Sequence, residues 1–281
     1  LKEIRNRIAS VSSTMQITSA MKMVSAAKLK KAQDAITAMR PYADKLTELL
    51  QNLSATLDAD SGSKFSEQRD VKNVLIVAIT SNRGLCGAFN SNIIKRATVV
   101  AESYDANVSV VAIGKKANDA LSKNFEIISN QSPVFDDLTF DNVAAIAEML
   151  MEQFESKAFD KIEVIYNKFK NAATQEIMTE QFLPIEPLEG DTNGNLDYIF
   201  EPSKEEIVET LIPKSLKTQL YKSIRDSFAS EHGARMTAMH KATDNATELR
   251  DQLKLTYNKA RQASITNEIL EIVGGAEALN G

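Results

Sequence analysis

The chain has 281 residues, of which 43% are hydrophobic and 25% charged, and its formal net charge is −5. These ordinary values are typical of a soluble globular protein, and they exclude a collagen-like or largely disordered chain. The longest strictly apolar run covers only residues 74–79, which excludes a membrane-spanning helix because such a helix needs roughly 20 apolar residues.

Residues 1–57 show the heptad pattern of a long coiled-coil helix. Apolar residues recur alternately every four and three positions from Ile4 onward, and this 3.5-residue repeat keeps one face of a supercoiled helix toward a partner. The repeat fails at Thr18, Lys22 and Ser25, where the core is either missing or faces something other than the partner helix. Pro41 is expected to kink or locally open the helix.

This N-terminal helix is basic although the chain as a whole is acidic. Residues 1–40 contain eight Lys or Arg and two acidic residues, so they carry +6 and the rest of the chain carries −11. A basic arm is typical of a nucleic-acid-binding protein or of one that meets an acidic protein surface. Here the basic residues lie all around the helix without interleaved aromatic residues, which predicts a protein partner and no nucleic acid.

The segment 71–183 changes to short apolar runs that alternate with helical stretches. This alternation predicts a central, Rossmann-like domain with a mostly parallel sheet, followed by a linker over residues 184–203. The predicted strands are Val74–Thr80, Val108–Ile113, Phe125–Ile128, Ile162–Tyr166 and Glu176–Phe182, and the predicted helices are Ala88–Tyr104, Lys115–Ser122 and Phe140–Lys157.

The segment 204–280 favours a second long helix. Ser203 is a candidate N-cap, while Pro213 and Gly233 are the expected weak points. A second seam of mostly small residues begins at Met239 and has the same heptad period. The predicted fold class is therefore α/β, with a long antiparallel two-helix coiled coil formed by the chain termini and a central Rossmann-like domain. The C-terminal helix is the longer one, so its end is expected to project past the pairing.

The sequence shows little catalytic chemistry. The loop Ser81–Ala88 (SNRGLCGA) contains two glycines but has neither the G-x-G-x-x-G nor the P-loop spacing, so glycines packed at a strand-to-helix turn are favoured over a phosphate site. Cys86 is expected to be a buried small residue rather than a nucleophile. His232 and His240 are eight residues apart, beyond the reach of one metal on a helix. We therefore predict no catalytic, cofactor or metal site.

Four motifs carry a resemblance to a known family. One lies where the heptad repeat fails, one in the loop after the first strand and two in the C-terminal helix. They are residues 20–28 (AMKMVSAAK), 81–88 (SNRGLCGA), 231–239 (EHGARMTAM) and 257–276, which include ARQASITNEILEIVGGA. With these motifs in this order over the whole chain, the sequence resembles the gamma subunits of F-type ATP synthases.

The resemblance implies a rotor shaft, present in one copy, inside a ring of three alpha and three beta subunits. The α/β domain and the base of the coiled coil would meet the epsilon subunit and the membrane ring of c subunits. ATP, ADP and magnesium would be bound by the alpha and beta subunits, so this chain would be a non-catalytic subunit without a cofactor. Membrane association would be indirect, on the cytoplasmic face of a bacterial plasma membrane rather than in a mitochondrial matrix.

The resemblance also implies roles for individual residues. Met21 and Met23 match residues that face an acidic lever segment of beta, and Lys22 and Lys28 would complement its acidity. Arg261 and Gln262 match residues that hydrogen-bond a beta loop. The remaining matches are Ile269, Ile272 and Leu279 in the tip, which turns in an apolar bearing, and Phe200 and Glu201 near the c ring.

The residues alone also allow two other functions. An enzyme with a nucleotide in the central domain would bind ATP or NAD as an isolated chain. A free-standing coiled-coil scaffold would form a stable rod or homo-oligomer without other subunits. The rotor hypothesis predicts neither behaviour.

Overall fold

A computed structural model of the chain describes residues 1–54, 64–185 and 204–280. The predicted linker, with Phe200, Glu201 and the candidate cap Ser203, lies almost entirely outside the described residues. The predicted boundaries at residues 57 and 203 also lie there and stay predictions. Among the described helices, none is both long and apolar enough to cross a membrane.

Two long helices enclose an α/β segment in the order of the chain. The helices are α1 (Lys2–Ser54), α2 (Phe89–Glu102), α3 (Lys115–Leu121), α4 (Phe140–Glu155) and α5 (Lys204–Asn280). The strands are β1 (Asn73–Ile79), β2 (Asn107–Ile113), β3 (Glu126–Asn130), β4 (Lys161–Phe169) and β5 (Gln175–Leu183). Short 3₁₀ turns cover Lys64–Ser66 and Ser132–Phe135. Each of the predicted strands and central helices therefore has a counterpart in the structure.

The five strands form one sheet in the order β3-β2-β1-β4-β5. Strands β1 to β4 are parallel, and β5 runs antiparallel to β4. This arrangement confirms the Rossmann-like, mostly parallel prediction. Strand β1 is buried on both faces, which explains its uninterrupted apolar sequence.

The two faces of the sheet carry separate hydrophobic cores. On one face, Leu75 and Val77 pack in a cluster with residues of α4 and with Ile224 of α5. On the other face, Val74 and Ile76 pack in a cluster with residues of α2 and α3. The alternation of β1 side chains between the two clusters is the period-two geometry of a strand.

The contacts divide the chain into two compact units, Leu1–Ser25 with Met236–Gly281, and Ala26–Arg235. In the first unit, called here the coil unit, α1 and α5 pair side by side. The Arg5 guanidinium donates to the Tyr257 hydroxyl at 2.9 Å, and the Thr18 hydroxyl bonds that of Thr243 at 2.8 Å. Residue numbers thus rise in one helix as they fall in the other, which confirms the antiparallel pair.

The seam break is polar rather than empty. Thr18 is only 8% exposed and Ser25 only 2%, so the interpretation of a missing or redirected core at Thr18 is wrong. The hydroxyl of Thr18 bonds across the seam to Thr243, and the Lys22 Nζ lies 3.3 Å from the Nδ1 of His240. At Thr18 a hydrogen bond between the helices thus replaces apolar packing, and it satisfies the buried hydroxyl.

The remaining expected weak points in the two long helices are helical in the structure. Helix α1 continues through Pro41 and α5 continues through Pro213. Gly233 is buried, and a Cβ there would lie 3.2 Å from both the Cα and the carbonyl oxygen of Ala172. Gly233 is therefore a point of close approach between α5 and the β4–β5 turn rather than simply a weak point.

Helix α4 offers a direct test of local stabilisation. The Thr139 side chain accepts a hydrogen bond from the backbone N–H of Asn142 at 3.3 Å, which caps the first turn. Thr139→Ala should lower the free energy of unfolding by about 1 kcal/mol, because an unpaired helical N–H is left behind. Urea denaturation followed by circular dichroism measures this. Thr14→Ala changes an exposed position inside α1 and should raise the free energy of unfolding slightly, since alanine has the higher helix propensity. Equal losses in the two variants would contradict the capping role of Thr139.

Candidate functional site

The crevice at the carboxyl ends of β1 and β4 is the place where folds of this kind hold a ligand. The chain leaves β1 toward β2 and β3 and then returns to β4 on the other side of β1, so the switch point of the sheet lies between these two strands. Ligands of open α/β sheets bind outside the carboxyl ends of the strands at such a point. The residues found there therefore decide what the domain can bind.

Helix α5 contacts both sides of this crevice. The Ser230 hydroxyl donates to the backbone oxygen of Asn167 in β4 at 3.0 Å. The Arg235 guanidinium donates to the backbone oxygens of Arg83 and Gly84, in the loop after β1, at 3.3 Å each. Side chains from the chain's own helix thus bond the backbone that a ligand would meet in a nucleotide-binding relative of this fold.

The loop after β1, residues 81–88, presents carbonyl groups to Arg235. A phosphate site would need backbone N–H groups directed at the ligand, whereas the N–H of Ser81 is bonded to the Oδ1 of Asn90 at 2.9 Å. The prediction of packed glycines is wrong in one respect, because a Cβ at Gly84 or Gly87 would meet nothing within 4 Å among the described residues. Gly87 instead supplies the positive φ of +60° that the turn requires.

Cys86, within this loop, is buried, as expected. Its sulfur accepts from the Asn90 side chain at 3.2 Å. Burial raises the pKa of the Cys86 thiol, although the nearby Arg235 charge acts in the opposite direction. The thiol is therefore neutral and poorly suited to nucleophilic attack at physiological pH.

Three buried polar residues of α5, Glu231, His232 and Arg235, form a cluster behind the loop. The Arg235 guanidinium donates to Glu231 at 2.6 Å, and all three side chains are buried. Burial raises the pKa of Glu231, while the Arg235 charge opposes this shift. Burial, assisted by the charges of Arg235 and Lys28, lowers the pKa of His232 to about 3, so this histidine is neutral in the folded protein.

Sequence reasoning did not identify this cluster as a feature of the site. Glu231 and Arg235 are four residues apart, a spacing that indicates an ion pair on a helix. The spacing does not reveal whether the pair is buried, and a solvent-exposed pair contributes little to stability. The contacts with the loop join residues about 150 positions apart in the chain. Within the described part of the chain, no group of three or more His, Cys, Asp or Glu residues is placed to hold a metal ion.

The predicted partner-contact residues are mostly at the surface. Met23, Lys28, Arg261, Gln262, Ile269 and Ile272 are exposed, whereas Met21 and Lys22 are half-buried. Leu279 lies within α5, but its side chain is outside the described part of the structure. Phe200 and Glu201 lie in the undescribed segment 186–203.

The end of α5 forms an exposed apolar surface, defined here as the tip surface. Arg5, near the start of α1, contacts Tyr257, so α5 continues past the paired region as predicted. The tip surface consists of Ile265, Ile269, Leu270, Ile272 and Val273, of which Ile272 is the most exposed at 72%. Contiguous exposed apolar residues on a soluble protein mark an interaction surface.

These features define a class of protein. One is an antiparallel coiled coil with an apolar tip. The other is an α/β domain in which a helix of the same chain hydrogen-bonds both sides of the ligand crevice. Together they are typical of a stalk subunit that acts through protein contacts. A family model described as ATP synthase matches residues 1–279. The chain belongs to the ATP synthase gamma chain family.

Relatives and solved structures agree with this assignment. The chain is 77% identical to the ATP synthase gamma chain of Flavobacterium psychrophilum, covering 100% of this chain and 99% of the relative. It is 55% identical to that of Cytophaga hutchinsonii, with the same coverage. Its fold matches a chain of the Euglena gracilis mitochondrial ATP synthase (OSCP/F1/c-ring) with a TM-score of 0.70 at 25% identity, covering 99% of this chain and 94% of that one. A chain from the Tetrahymena thermophila central stalk and c ring matches with a TM-score of 0.60 at 26% identity, covering 81% of this chain and 99% of that one.

Proposed function

We propose that this chain, as the central stalk of an F-type ATP synthase, couples rotation of the c ring to conformational change at the three beta-subunit catalytic sites. Proton flow would turn the ring and the stalk together during ATP synthesis, and ATP hydrolysis would turn them in reverse. The observation that carries the proposal is the antiparallel coil unit with its projecting apolar tip, in a chain that matches the family over residues 1–279.

Coupling by a shaft requires that its faces differ. Each orientation of the shaft must bind one beta conformation better than another, because a contact of equal free energy with all conformations transmits nothing. The coil unit fits this requirement. Ile17, Met23 and Val24 of α1 are exposed apolar residues, while the surface of α5 around Lys241 and Asp244 is polar and exposed.

The contact residues follow from this arrangement. Met21, Lys22, Met23 and Lys28 would face an acidic lever of beta, where the lysine charges complement its carboxylates. Arg261 and Gln262 would hydrogen-bond a loop of the ring. Ile269, Ile272 and Leu279 would turn inside an apolar bearing, where we expect small rotational barriers because small apolar residues would form no strong ion pairs there. Phe200 and Glu201 would lie toward the c ring and the epsilon subunit.

This chain would have no catalytic site of its own and would bind no cofactor. The bonds from Ser230 and Arg235 across the crevice support this, because they join the chain's own helix to the strand ends where a nucleotide would bind. ATP, ADP and magnesium would be held by the three alpha and three beta subunits. One copy of this chain would be attached peripherally, through the c ring, at the cytoplasmic face of a bacterial plasma membrane.

Co-expression with alpha and beta subunits from one bacterium tests the function. We expect a complex with one copy of this chain per three alpha–beta pairs that hydrolyses ATP, measured by native mass spectrometry and a coupled ATPase assay. A chain that stays apart from the ring would refute the stalk function. ATP or NAD binding by the isolated chain in calorimetry would favour an enzyme, and a homo-oligomeric rod in light scattering would favour a scaffold.

Truncation after Ser264 tests the tip surface within the same complex. Removing the tip should weaken retention of the chain in the ring by about tenfold or more, because the loss of even one buried apolar side chain has that effect on a binding constant. Dissociation on dilution measures it. Truncation after residue 276, which keeps the five residues of the tip surface, is the control. Equal retention of both truncated chains would show that the tip surface makes no apolar contact.

A further inference from the structure

A single nitrogen of His240, in the coil unit, has two competing partners. Its Nδ1 lies 3.3 Å from the Nζ of Lys22 in α1 and 3.4 Å from the Oδ2 of Asp244 in α5. A lysine ammonium only donates hydrogen bonds, and a carboxylate only accepts them. The nitrogen therefore cannot satisfy both partners at once, because it bonds Lys22 only without a proton and Asp244 only with one.

The protonation state of the ring decides which partner is bound. A neutral imidazole with its proton on Nε2 leaves Nδ1 free to accept from Lys22, and this bond links α1 to α5. A protonated imidazole carries hydrogens on both nitrogens, so its Nδ1 donates to Asp244 one turn further along α5, and its charge repels the Lys22 ammonium. The first state joins the two helices, whereas the second is confined to α5.

The surroundings of His240 allow it to respond to the pH of the solution. Its side chain is 56% exposed, and a solvent-exposed histidine changes its charge between pH 5 and pH 8. Among the described residues, the charged groups in contact with it are Lys22 from α1 and Asp244 from α5. The other residues of the coil unit one turn away along either helix are uncharged, namely Thr18, Ser19, Ser25, Met236, Thr237 and Thr243. Two charges of opposite sign, one on each helix, therefore set the response.

We infer that His240 is a proton-operated switch in the coil unit, which holds Lys22 to α5 while it is neutral and, once protonated, releases Lys22 toward the acidic lever of beta. The contact with beta rests on the proposed function, whereas the exchange of partners within the coil unit does not. The exchange replaces one exposed contact by another, so it changes the free energy of unfolding little. Its effect is on where the Lys22 charge lies on the surface of the shaft.

Nuclear magnetic resonance of the full chain with ¹⁵N-labelled histidine tests the exchange of partners directly. The chain has two histidines, and burial lowers the pKa of His232 to about 3, so the ring that titrates between pH 5 and pH 8 is that of His240. At pH 8 we expect neutral His240 to carry its proton on Nε2. Lys22→Met removes the donor and should move the proton toward Nδ1, where Asp244 accepts it. A wild-type ring protonated at Nδ1 at pH 8, or a tautomer unchanged by Lys22→Met, would overturn the switch.

The release of Lys22 is tested in the complex with alpha and beta subunits, by dissociation on dilution at pH 8 and at pH 6. The freed ammonium adds an exposed ion pair with the ring. On lowering the pH, dissociation of the wild-type chain should therefore slow by about two- to fivefold more than that of the His240→Gln chain. Glutamine keeps an oxygen that accepts from Lys22 but does not titrate. Lys254→Met, which removes a lysine from another exposed position of α5, is the control and should keep the wild-type dependence on pH.

The outcomes separate the switch from the stalk function. Equal dependence on pH in the wild-type and His240→Gln chains overturns the switch, and so does its loss with Lys254→Met. Full dependence on pH in the Lys22→Met chain also overturns it, because the charge of His240 itself would then bind the ring. A wild-type chain that fails to enter the complex refutes the stalk function instead, while the resonance experiment still decides the exchange between Lys22 and Asp244.

Discussion

Replacing Gly114 by alanine is expected to lower the free energy of unfolding by about 3 kcal/mol or more, from backbone strain and overpacking combined. Gly114 follows β2 with a φ of +112°, and a Cβ there would lie 2.4 Å from the backbone oxygen of Thr80. Thr80 cannot easily move, because its N–H donates to the oxygen of Ile113 at 2.8 Å and its hydroxyl accepts from the N–H of Ala117 at 2.8 Å. Urea denaturation of the purified chain measures the loss.

Gly87→Ala is the matched control for this prediction. Gly87 also has a positive φ, +60°, but a Cβ there would meet nothing within 4 Å among the described residues. We expect a loss of about 1 kcal/mol, which is the conformational cost alone. If Gly114→Ala were no more destabilising than Gly87→Ala, the contact with Thr80 would have to relax freely, and the steric argument would be wrong.

The elements predicted well from sequence are those in which one local pattern determines burial. Strand β1 is apolar without interruption because both of its faces are covered, and the sequence alone predicts it within one residue at each end. The antiparallel coil follows from two heptad repeats at opposite ends of the chain, since the repeat indicates which face of each helix is buried. Arg5 and Tyr257, though 252 positions apart, meet because those faces pair.

The elements predicted poorly depend on partners that the local pattern does not reveal. Thr18 looks like a defect in the seam, yet Thr243 on the other helix supplies its hydrogen bond. Gly233 looks like a weak point of a helix, yet Ala172 requires its lack of a side chain. In both cases the residue type is explained by one residue far away in the chain, and a periodicity carries no information about that residue.

The same reason applies to the loop after β1. Its glycines suggest a turn, and the turn is there, but neither the left-handed Leu85 nor the bonds from Arg235 follow from the motif. Nucleotide-binding and stalk proteins can share the strand–loop–helix pattern, since fold and function are separable. The difference lies in what occupies the crevice, and here residues of α5 bond both of its sides.

Acid should destabilise this protein through His232, and His232→Gln should remove that part of the effect. The pKa of His232 is lowered to about 3 in the folded chain, against about 6.5 when unfolded. Between these values the unfolded chain binds a proton that the folded chain does not, so the free energy of unfolding falls as the pH falls. The stability that depends on neutral His232 is fully present above about pH 6.5. Between pH 7 and pH 5, the free energy of unfolding falls by about 2 kcal/mol because of this residue.

The measurement is the difference in unfolding free energy between the wild-type chain and His232→Gln, taken from urea curves at several pH values. Glu231 titrates in the opposite sense, because its raised pKa makes the folded chain bind a proton first as the pH falls. Both proteins contain Glu231, so their difference isolates His232 from it. His232→Gln also loses packing against Phe228, whose ring centre is 4.5 Å from that of His232. This loss changes the free energy of unfolding equally at every pH, so it does not affect how the difference depends on pH.

His240→Gln provides the matched control, since it changes the other histidine of the chain. His240 is exposed in the coil unit, with the Asp244 carboxylate 3.4 Å from its Nδ1. An exposed pair of this kind contributes little to stability, so His240→Gln should retain the full acid sensitivity of the wild-type chain. If His240→Gln removed the sensitivity and His232→Gln did not, the acid response would arise in the coil unit and not in the buried cluster behind the loop.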